Sequence, residues 1–349
     1  MIDADVVVVG GGVMGCATAR ALARRGREVV LLERFRIGHT RGSSHGRSRI
    51  FRYSYDHPDY VRMAMETLPM WRDLERDTGR ELLKLTGGLD VGQTIDRNAR
   101  ALEAHGAAYE LLTPDQARRR FPFLAFPDER ILYQADSGIV LADRAVEAFA
   151  GSARSHGASV LEERAATGLA LVGDGVEART EDGTYRARAA VVTAGGWVNG
   201  VLGGVGIELP VRVTRETVAY FRTKDEERLP TWISWAESLG MYALRGPGQG
   251  LKVGEHGVGP EVDPNREGPP SEETVERISA WVAERYPTAD PNPHLTETCL
   301  YTNTPDGHFV LERRGPIVIG SPCSGHGFKF APWIGERLAD LALAEDPSV

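Results

Sequence analysis

Cysteine is scarce in this chain: Cys16, Cys299 and Cys323 are the three present in 349 residues. So odd and widely spaced a set makes no disulfide framework, which removes the small stapled domain as a reading. Long apolar runs are missing too. The first one, Val6-Val7-Val8-Val9, is four residues long and breaks into glycine. That is too short for a signal-peptide core and far below the roughly 18 apolar residues a spanning helix needs. Positive charge is in deficit, with 41 Lys+Arg against 49 Asp+Glu, so no basic surface for nucleic acid is expected. The terminal Asp346-Pro347-Ser348-Val349 matches no lipidation or peroxisomal address. Together these absences point to a cytoplasmic protein that engages neither nucleic acid nor membrane. No internal repeat interrupts the chain, and its length suggests two domains at about 150 residues each.

Glycine, by contrast, is concentrated where it carries information. Val6–Val9 has the look of a β-branched strand buried on both faces. Gly10, Gly12 and Gly15 then supply G-x-G-x-x-G. Ala17, Ala19, Ala21, Leu22 and Ala23 read as a small-residue helix able to lie close to a sheet. Gly26 ends that helix, and Val29-Val30-Leu31-Leu32 forms a second strand closing on Glu33. The first glycine permits the tight turn, the second lets backbone approach a pyrophosphate, and the third lets helix pack on strand. The pyrophosphate would sit at the helix N-terminus, where free N–H groups and the macrodipole favour an anion. Glu33 follows Gly10 by 23 residues, about where an acid receives a ribose hydroxyl. The unit predicts dinucleotide binding and leaves FAD and NAD both open.

Downstream, Gly42-Ser43-Ser44-His45-Gly46-Arg47-Ser48-Arg49-Ile50-Phe51-Arg52 crowds glycine, serine and three arginines together, which fits an anion site or a solvated basic loop. Asp59 to Gly79 has helical amphipathic spacing, and Leu82 to Val91 reads as strand interrupted by Gly87-Gly88. Thr113-Pro114-Asp115-Gln116 is a capping box. A helix over Asp143–Ser155 and a strand over Ala158–Leu161 follow. Asp174-Gly175 and Asp182-Gly183 mark hairpins of an antiparallel meander that runs into Ala190–Trp197. Short strands are expected between Leu209 and Lys252, a helix from Ser271 to Tyr286, and strands over Leu295–Tyr301, Phe309–Leu311 and Ile317–Gly320. Ser324-Gly325-His326-Gly327-Phe328-Lys329 opens a last helix with Ile334, Leu338 and Leu341 on one face.

Taken together, these stretches resemble the monomeric sarcosine oxidase and N-methyltryptophan oxidase family, pipecolate oxidases included, within the D-amino-acid-oxidase-like flavoproteins. The matching segments stand in family order: Gly10–Gly15, Gly42–Arg52, Thr193-Ala194-Gly195-Gly196-Trp197, Leu251-Lys252-Val253-Gly254-Glu255-His256, Cys299-Leu300-Tyr301-Thr302 and Gly325–Phe330. The resemblance implies FAD rather than NAD. It implies an α/β protein, with a Rossmann-type FAD-binding domain and a second domain on a mixed, largely antiparallel sheet. The FAD domain would be discontinuous, over 1–82, 141–207 and 308–349. The substrate domain would take 83–140 and 208–307.

Further implications of the resemblance concern the site. The chemistry would be oxidation of a secondary amino acid to an imine that hydrolyses, with O2 reduced to H2O2. An FAD dehydrogenase using another acceptor and a pipecolate-type cyclic imino acid oxidase are the alternatives. Cys299 would hold the flavin covalently. Lys252 matches the lysine that activates oxygen, a fixed cation where negative charge develops. Arg52 and Lys329 match the pair that receives the substrate carboxylate. Arg49 and His45 match residues beside the flavin ring. His256 and Tyr301 line the substrate cavity, a histidine near neutrality being suited to keep the amine unprotonated. Tyr242 is the approximate counterpart of a gating tyrosine. The remaining FAD contacts would be Gly10, Gly12, Val13, Met14, Gly15, Glu33, Arg34, Ser43, Ser44, Ala165, Gly195, Trp197, Gly325, Gly327 and Phe328, with Lys329 serving the cofactor as well. No metal is expected, and a monomer is the family pattern. Cys323 departs from it, standing where sarcosine oxidases carry an aromatic residue, and Cys16 reads as a packing residue.

Overall fold

The computed structural model describes residues 2–235 and 240–344; residues 1, 236–239 and 345–349, with the Asp346–Val349 tail, lie outside them. Strand Ile2–Val9 is the centre of the first sheet. It pairs in parallel with Val29–Leu32 on one side and with Gly183–Val192 on the other. Ser159–Leu161 extends the sheet beyond Val29–Leu32, and Ile317–Ser321 joins Gly183–Val192, again in parallel. The meander Gly168–Val172, Gly175–Thr180, Gly183–Val192 adds antiparallel strands at one end. Val6, Val7, Val8 and Val9 are all buried, as a strand covered on both faces must be.

One cover is helical. Helix Val13–Arg24 packs beside helices Ala142–Ser155 and Ala331–Leu343. The crossing with the last helix is close because both residues at the contact are small: a Cβ on Gly335 would stand 2.7 Å from the Ala17 carbonyl carbon. Ile334 and Leu338 are fully buried there, as their spacing predicts, and each such side chain contributes roughly 1.5–3 kcal/mol of burial. The long helix Pro58–Thr78 runs outside, capped by His57 and ended by Gly79 at φ 66°. Its Trp71, with no exposed surface, donates from Nε1 to the Lys329 carbonyl at 2.8 Å. That bond ties the helix to the turn preceding Ala331–Leu343.

The second sheet has eight strands in the order Leu295–Asn303, Arg212–Phe221, Gly250–Glu255, Gly240–Gly246, Thr231–Trp235, Gly88–Gly92, Ile131–Gln134, Glu110–Leu112. Every neighbouring pair is antiparallel except Thr231–Trp235 with Gly88–Gly92. The mixed, largely antiparallel sheet expected from the sequence is present. Strand parity divides its residues. Leu89, Val91, Trp232, Ala243, Val253 and Ala219 face helix Glu272–Arg285 and form an apolar core with Ile278 and Val282. The residues between them face the opposite way.

Some elements were not legible in advance. Helix Ile95–Ala104 and strands Ile131–Gln134 and Gly138–Val140 have no counterpart in the sequence reading. The basic stretch Gly42–Arg52 is loop only as far as Ser48. Arg49-Ile50-Phe51 is a strand in a small third sheet with Gly138–Val140 and Leu83–Leu85. Among the described residues no helix is long and apolar enough to cross a membrane.

Candidate active site

A cavity of about 1420 Å³ runs from the glycine loop to the inner face of the second sheet. Its size exceeds the roughly 300–1,000 Å³ usual for one small ligand, and its two ends differ in chemistry.

The first end is the glycine loop. Gly10 has φ 102°, and a Cβ there would meet the Thr193 carbonyl oxygen at 2.6 Å. Gly15 does not line the cavity. A Cβ on it would fall 1.8 Å from the Gly10 carbonyl oxygen, so its job is the close approach of helix and strand. Gly12, Val13 and Met14 line the opening, and the first helical turn carries no acidic residue, leaving the helix N-terminus suited to an anion. Ser44 Oγ accepts from Val13 N at 3.0 Å, and Ser43 Oγ donates to the Leu300 carbonyl, so this loop joins glycine loop to second sheet. Glu33, buried, accepts from Gly11 N at 2.6 Å through Oε2 and from Phe35 N at 2.7 Å through Oε1. Oε1 also lies 3.5 Å from His39 Nε2, and Oε2 keeps a second lone pair for a hydroxyl. Ala165, Gly195, Arg34 and Trp197 complete this end, the last two sharing the Asn265 side-chain oxygen at 2.8 and 3.0 Å. A cradle that a Cβ would fill, an acid at the second strand's end and a helix N-terminus with no acidic residue in its first turn fit an adenine dinucleotide.

The other end is built by strand parity. Across the second sheet Asp90 registers with Ile233, Ile233 with Tyr242 and Tyr242 with Gly254. On the same face Lys252 sits two residues before Gly254, and Cys299 and Tyr301 alternate along Leu295–Asn303, on the far side of the intervening strand Arg212–Phe221. Alternation with period two therefore brings Tyr242, Lys252, Cys299 and Tyr301 to one wall. Gly254 is required beneath Tyr242, since a Cβ there would stand 2.4 Å from the Tyr242 hydroxyl. Gly325 (φ 76°) similarly makes room for Tyr301 and His256, and Gly327 for the Pro322 carbonyl. Gly325, Gly327 and Phe328 line the turn that faces this wall.

Four cations converge here in a chain whose net charge is negative. Arg49 spends its guanidinium on the carbonyls of Ser43, His45 and Ser48 at 2.6–3.0 Å, so it shapes the loop. Lys252 is 4% exposed and donates to the Ser48 carbonyl at 3.3 Å. Burial, reinforced by Arg49, pulls its ammonium down to about 7. Arg52 stacks over the Tyr55 ring at 4.3 Å and pairs with Asp90 Oδ1 at 3.2 Å. Lys329 donates to Tyr55 Oη at 2.8 Å and to the His326 carbonyl at 2.7 Å, and burial followed by Arg52 pulls it well below its usual range.

The neutral partners are just as enclosed. His256 lies against Trp235 and Tyr301, and burial with Arg52 and Lys329 lowers it to about 4. It is therefore a neutral ring at neutral pH, where the sequence reading had a histidine titrating near neutrality. His45 stands behind the lining with Nε2 unpartnered among the described residues, lowered to about 3 by burial and Arg49. Tyr242 and Tyr301 are raised by burial. Cys299 is raised by burial against the pull of Arg49 and Lys252, and Cys323 Sγ accepts from Thr302 N at 3.3 Å on the next turn. Cys16 is fully buried and donates to the Gly11 carbonyl, a packing position.

The structure adds residues absent from the sequence reading. Tyr55 sits between Arg52 and Lys329, Asn265 bridges Arg34 and Trp197, and Asp90 holds Arg52. Only Asp90 had a local signal, a lone acid in the apolar strand Leu89-Asp90-Val91. Among the described residues no group of three or more His, Cys, Asp or Glu is placed to hold a metal ion.

Comparison with known proteins follows this geometry. The family model described as FAD dependent oxidoreductase matches residues 5–341. The chain is 33% identical to peroxisomal sarcosine oxidase of Homo sapiens, over 99% of this chain and 93% of that one. It is 34% identical to monomeric sarcosine oxidase of Streptomyces avermitilis, over 97% and 93%. Among solved structures it is similar to NikD, described as an unusual amino acid oxidase essential for nikkomycin biosynthesis. That match has a TM-score of 0.87 and 30% identity, over 100% of this chain and 97% of the other.

Proposed function

The chain belongs to the FAD dependent oxidoreductase family, and from that premise we propose that it oxidises secondary amino acids of the sarcosine or N-methyl amino acid type. In this reading the amine loses two electrons and two protons to become an imine, which water hydrolyses, and O2 takes up both to become H2O2. Bound FAD supplies the two-electron acceptor. The observation that carries the reading is the presence of buried Lys329 and Arg52 in the same cavity with Lys252 and Cys299 on its wall. A carboxylate needs the first pair and oxygen reduction needs a fixed cation. A relative named monomeric sarcosine oxidase supports a single chain as the working unit.

Roles follow from placement. The glycine loop Gly10–Met14 holds the pyrophosphate and Glu33 the ribose. Cys299 holds FAD as a thioether, and Arg49 and Lys252 oppose the rise that burial imposes on its thiol. Arg49 keeps the Ser43–Ser48 loop in shape, with His45 behind it. Arg52 and Lys329 receive the substrate carboxylate, which leaves the amine toward His256, Tyr301 and Tyr242. His256, being neutral, offers the amine an acceptor that does not repel it. Lys252 is the cation beside which O2 is reduced.

The test is anaerobic mixing of the flavin-loaded enzyme with sarcosine, N-methyltryptophan and pipecolate while flavin absorbance is followed. A secondary amino acid should bleach the absorbance, and admission of air should restore it with one peroxide per turnover. Absence of bleaching by any amino acid would overturn the reading. Bleaching that air does not reverse would move the chain to the dehydrogenases.

A further inference from the structure

Asp90 is a charged residue on the inner face of a sheet, in register with Leu132 on one side and Ile233 on the other. It is 3% exposed. A buried carboxylate in such a wall is retained only where a partner offsets its desolvation, and the partner is Arg52. The carboxylate and carbonyl acceptors of that guanidinium, Asp90 Oδ1 and the Ser54 carbonyl, use the same nitrogen, Nη1. Nε and Nη2 donate to no carbonyl or carboxylate among the described residues, so one edge of the fork is anchored and the other stays available to a ligand carboxylate. The anchoring is itself supported: Asn98 Nδ2 donates to Ser54 Oγ at 3.0 Å, which steadies the loop carrying the second acceptor.

The charge sum at this end follows. With Arg52, Lys329 and Asp90 all ionised this end carries one surplus positive charge, enough for one carboxylate and not for two. We propose that Asp90 is the positioning residue of Arg52 and sets the cavity's selectivity for substrates that carry a single carboxylate and no second anionic group. The proposal rests on the amino acid reading above, which places the substrate carboxylate at Arg52. Asp90 acts through Arg52 and need not touch the substrate.

The experiment compares acetate with malonate as ligands of the flavin-loaded protein, each titrated by its perturbation of flavin absorbance. The readout is the ratio of the two dissociation constants, because a purely structural role for Asp90 would weaken both ligands alike and leave the ratio alone. The wild type should favour acetate. Asp90→Asn should shift the ratio toward malonate by about tenfold or more, the effect of one added charge at ordinary interior screening. Asp90→Val, which suits the strand and leaves no unmatched polar group, should shift it the same way, so the reading survives poor folding of either variant. Asp90→Glu, keeping the charge, should restore the wild-type preference. Ligand binding by the wild type with a ratio unchanged within about twofold in the neutral variants overturns the role of Asp90 and leaves the amino acid reading standing. A wild type that binds neither ligand overturns both, since there is then no carboxylate site to tune.

Discussion

Lys252→Met removes one positive charge from the wall of the cavity while keeping the length and apolar stem of the side chain. The structure gives this change two opposite effects. Burial, then Arg49, pulls the ammonium from its ordinary 10.5 to about 7. At about 1.36 kcal/mol for each tenfold change in proton affinity, the charged form is disfavoured on folding by roughly 4–5 kcal/mol. The folded value lies below the unfolded one, so the unfolded chain binds more protons between pH about 7 and about 10.5. Wild-type stability should therefore rise with pH through that window, and below it the whole penalty stands. Methionine carries no such penalty. The variant should gain up to roughly 4 kcal/mol at pH about 6, less what methionine loses in packing, and its stability should no longer rise between pH about 7 and about 10.5. Function should move the other way. Loss of a fixed charge where negative charge develops costs on the order of 10²–10³ in rate, so absorbance recovery in air should slow by that factor while anaerobic bleaching keeps its rate. The wild-type oxygen step should itself slow as pH rises through about 7 and the cation is lost. Urea unfolding at several pH values and stopped-flow mixing read both halves. Oxygen reaction as fast as wild type, or no stability gain in acid, would refute the reasoning.

Two further outcomes separate the roles assigned to neighbouring groups. Cys299→Ser should still bind FAD yet release the yellow colour when the protein is precipitated with acid, while Cys323→Ser should keep the colour in the pellet; release by the second variant alone would move the attachment to the other cysteine. His256, lowered to about 4 by burial, Arg52 and Lys329, is already neutral at neutral pH. His256→Gln should therefore lower the bleaching rate without changing the shape of its pH profile between about 6 and 9, and disappearance of an inflection near neutrality would show that the ring titrates there after all.

Much of the architecture was legible because it is local. The strand, glycine loop, helix and second strand of Val6–Glu33 follow from β-branched runs, glycines and small residues within one unit, and the structure returns them with the expected spacing. Thr113 and Gln116 make both bonds of their capping box, again a matter of four consecutive residues. The helix Ile95–Ala104 was missed although Ile95, Ala99 and Leu102 are buried on one side, since ten residues with two internal arginines present a weak apolar stripe. Arg49–Phe51 was hidden for another reason. Three residues cannot announce a strand whose partner, Gly138–Val140, lies far along the chain.

At the site the division is sharper. Sequence by itself determined which groups were present and that Gly10–Gly15 forms a tight turn between strand and helix, because glycine at those positions answers a backbone constraint that any fold of the segment must meet. Only the tertiary structure decided what each charge was for. Arg49 and Arg52 stand three apart in one basic stretch, yet one is consumed by three loop carbonyls and the other is held by Asp90 with an edge left open. Lys252 and Lys329 look like ordinary lysines until burial lowers both. Charge and proton affinity depend on desolvation and on partners within a few ångströms, and those partners come from strands and turns distant in the chain. The opening glycines needed only their neighbours; the cations needed the whole fold.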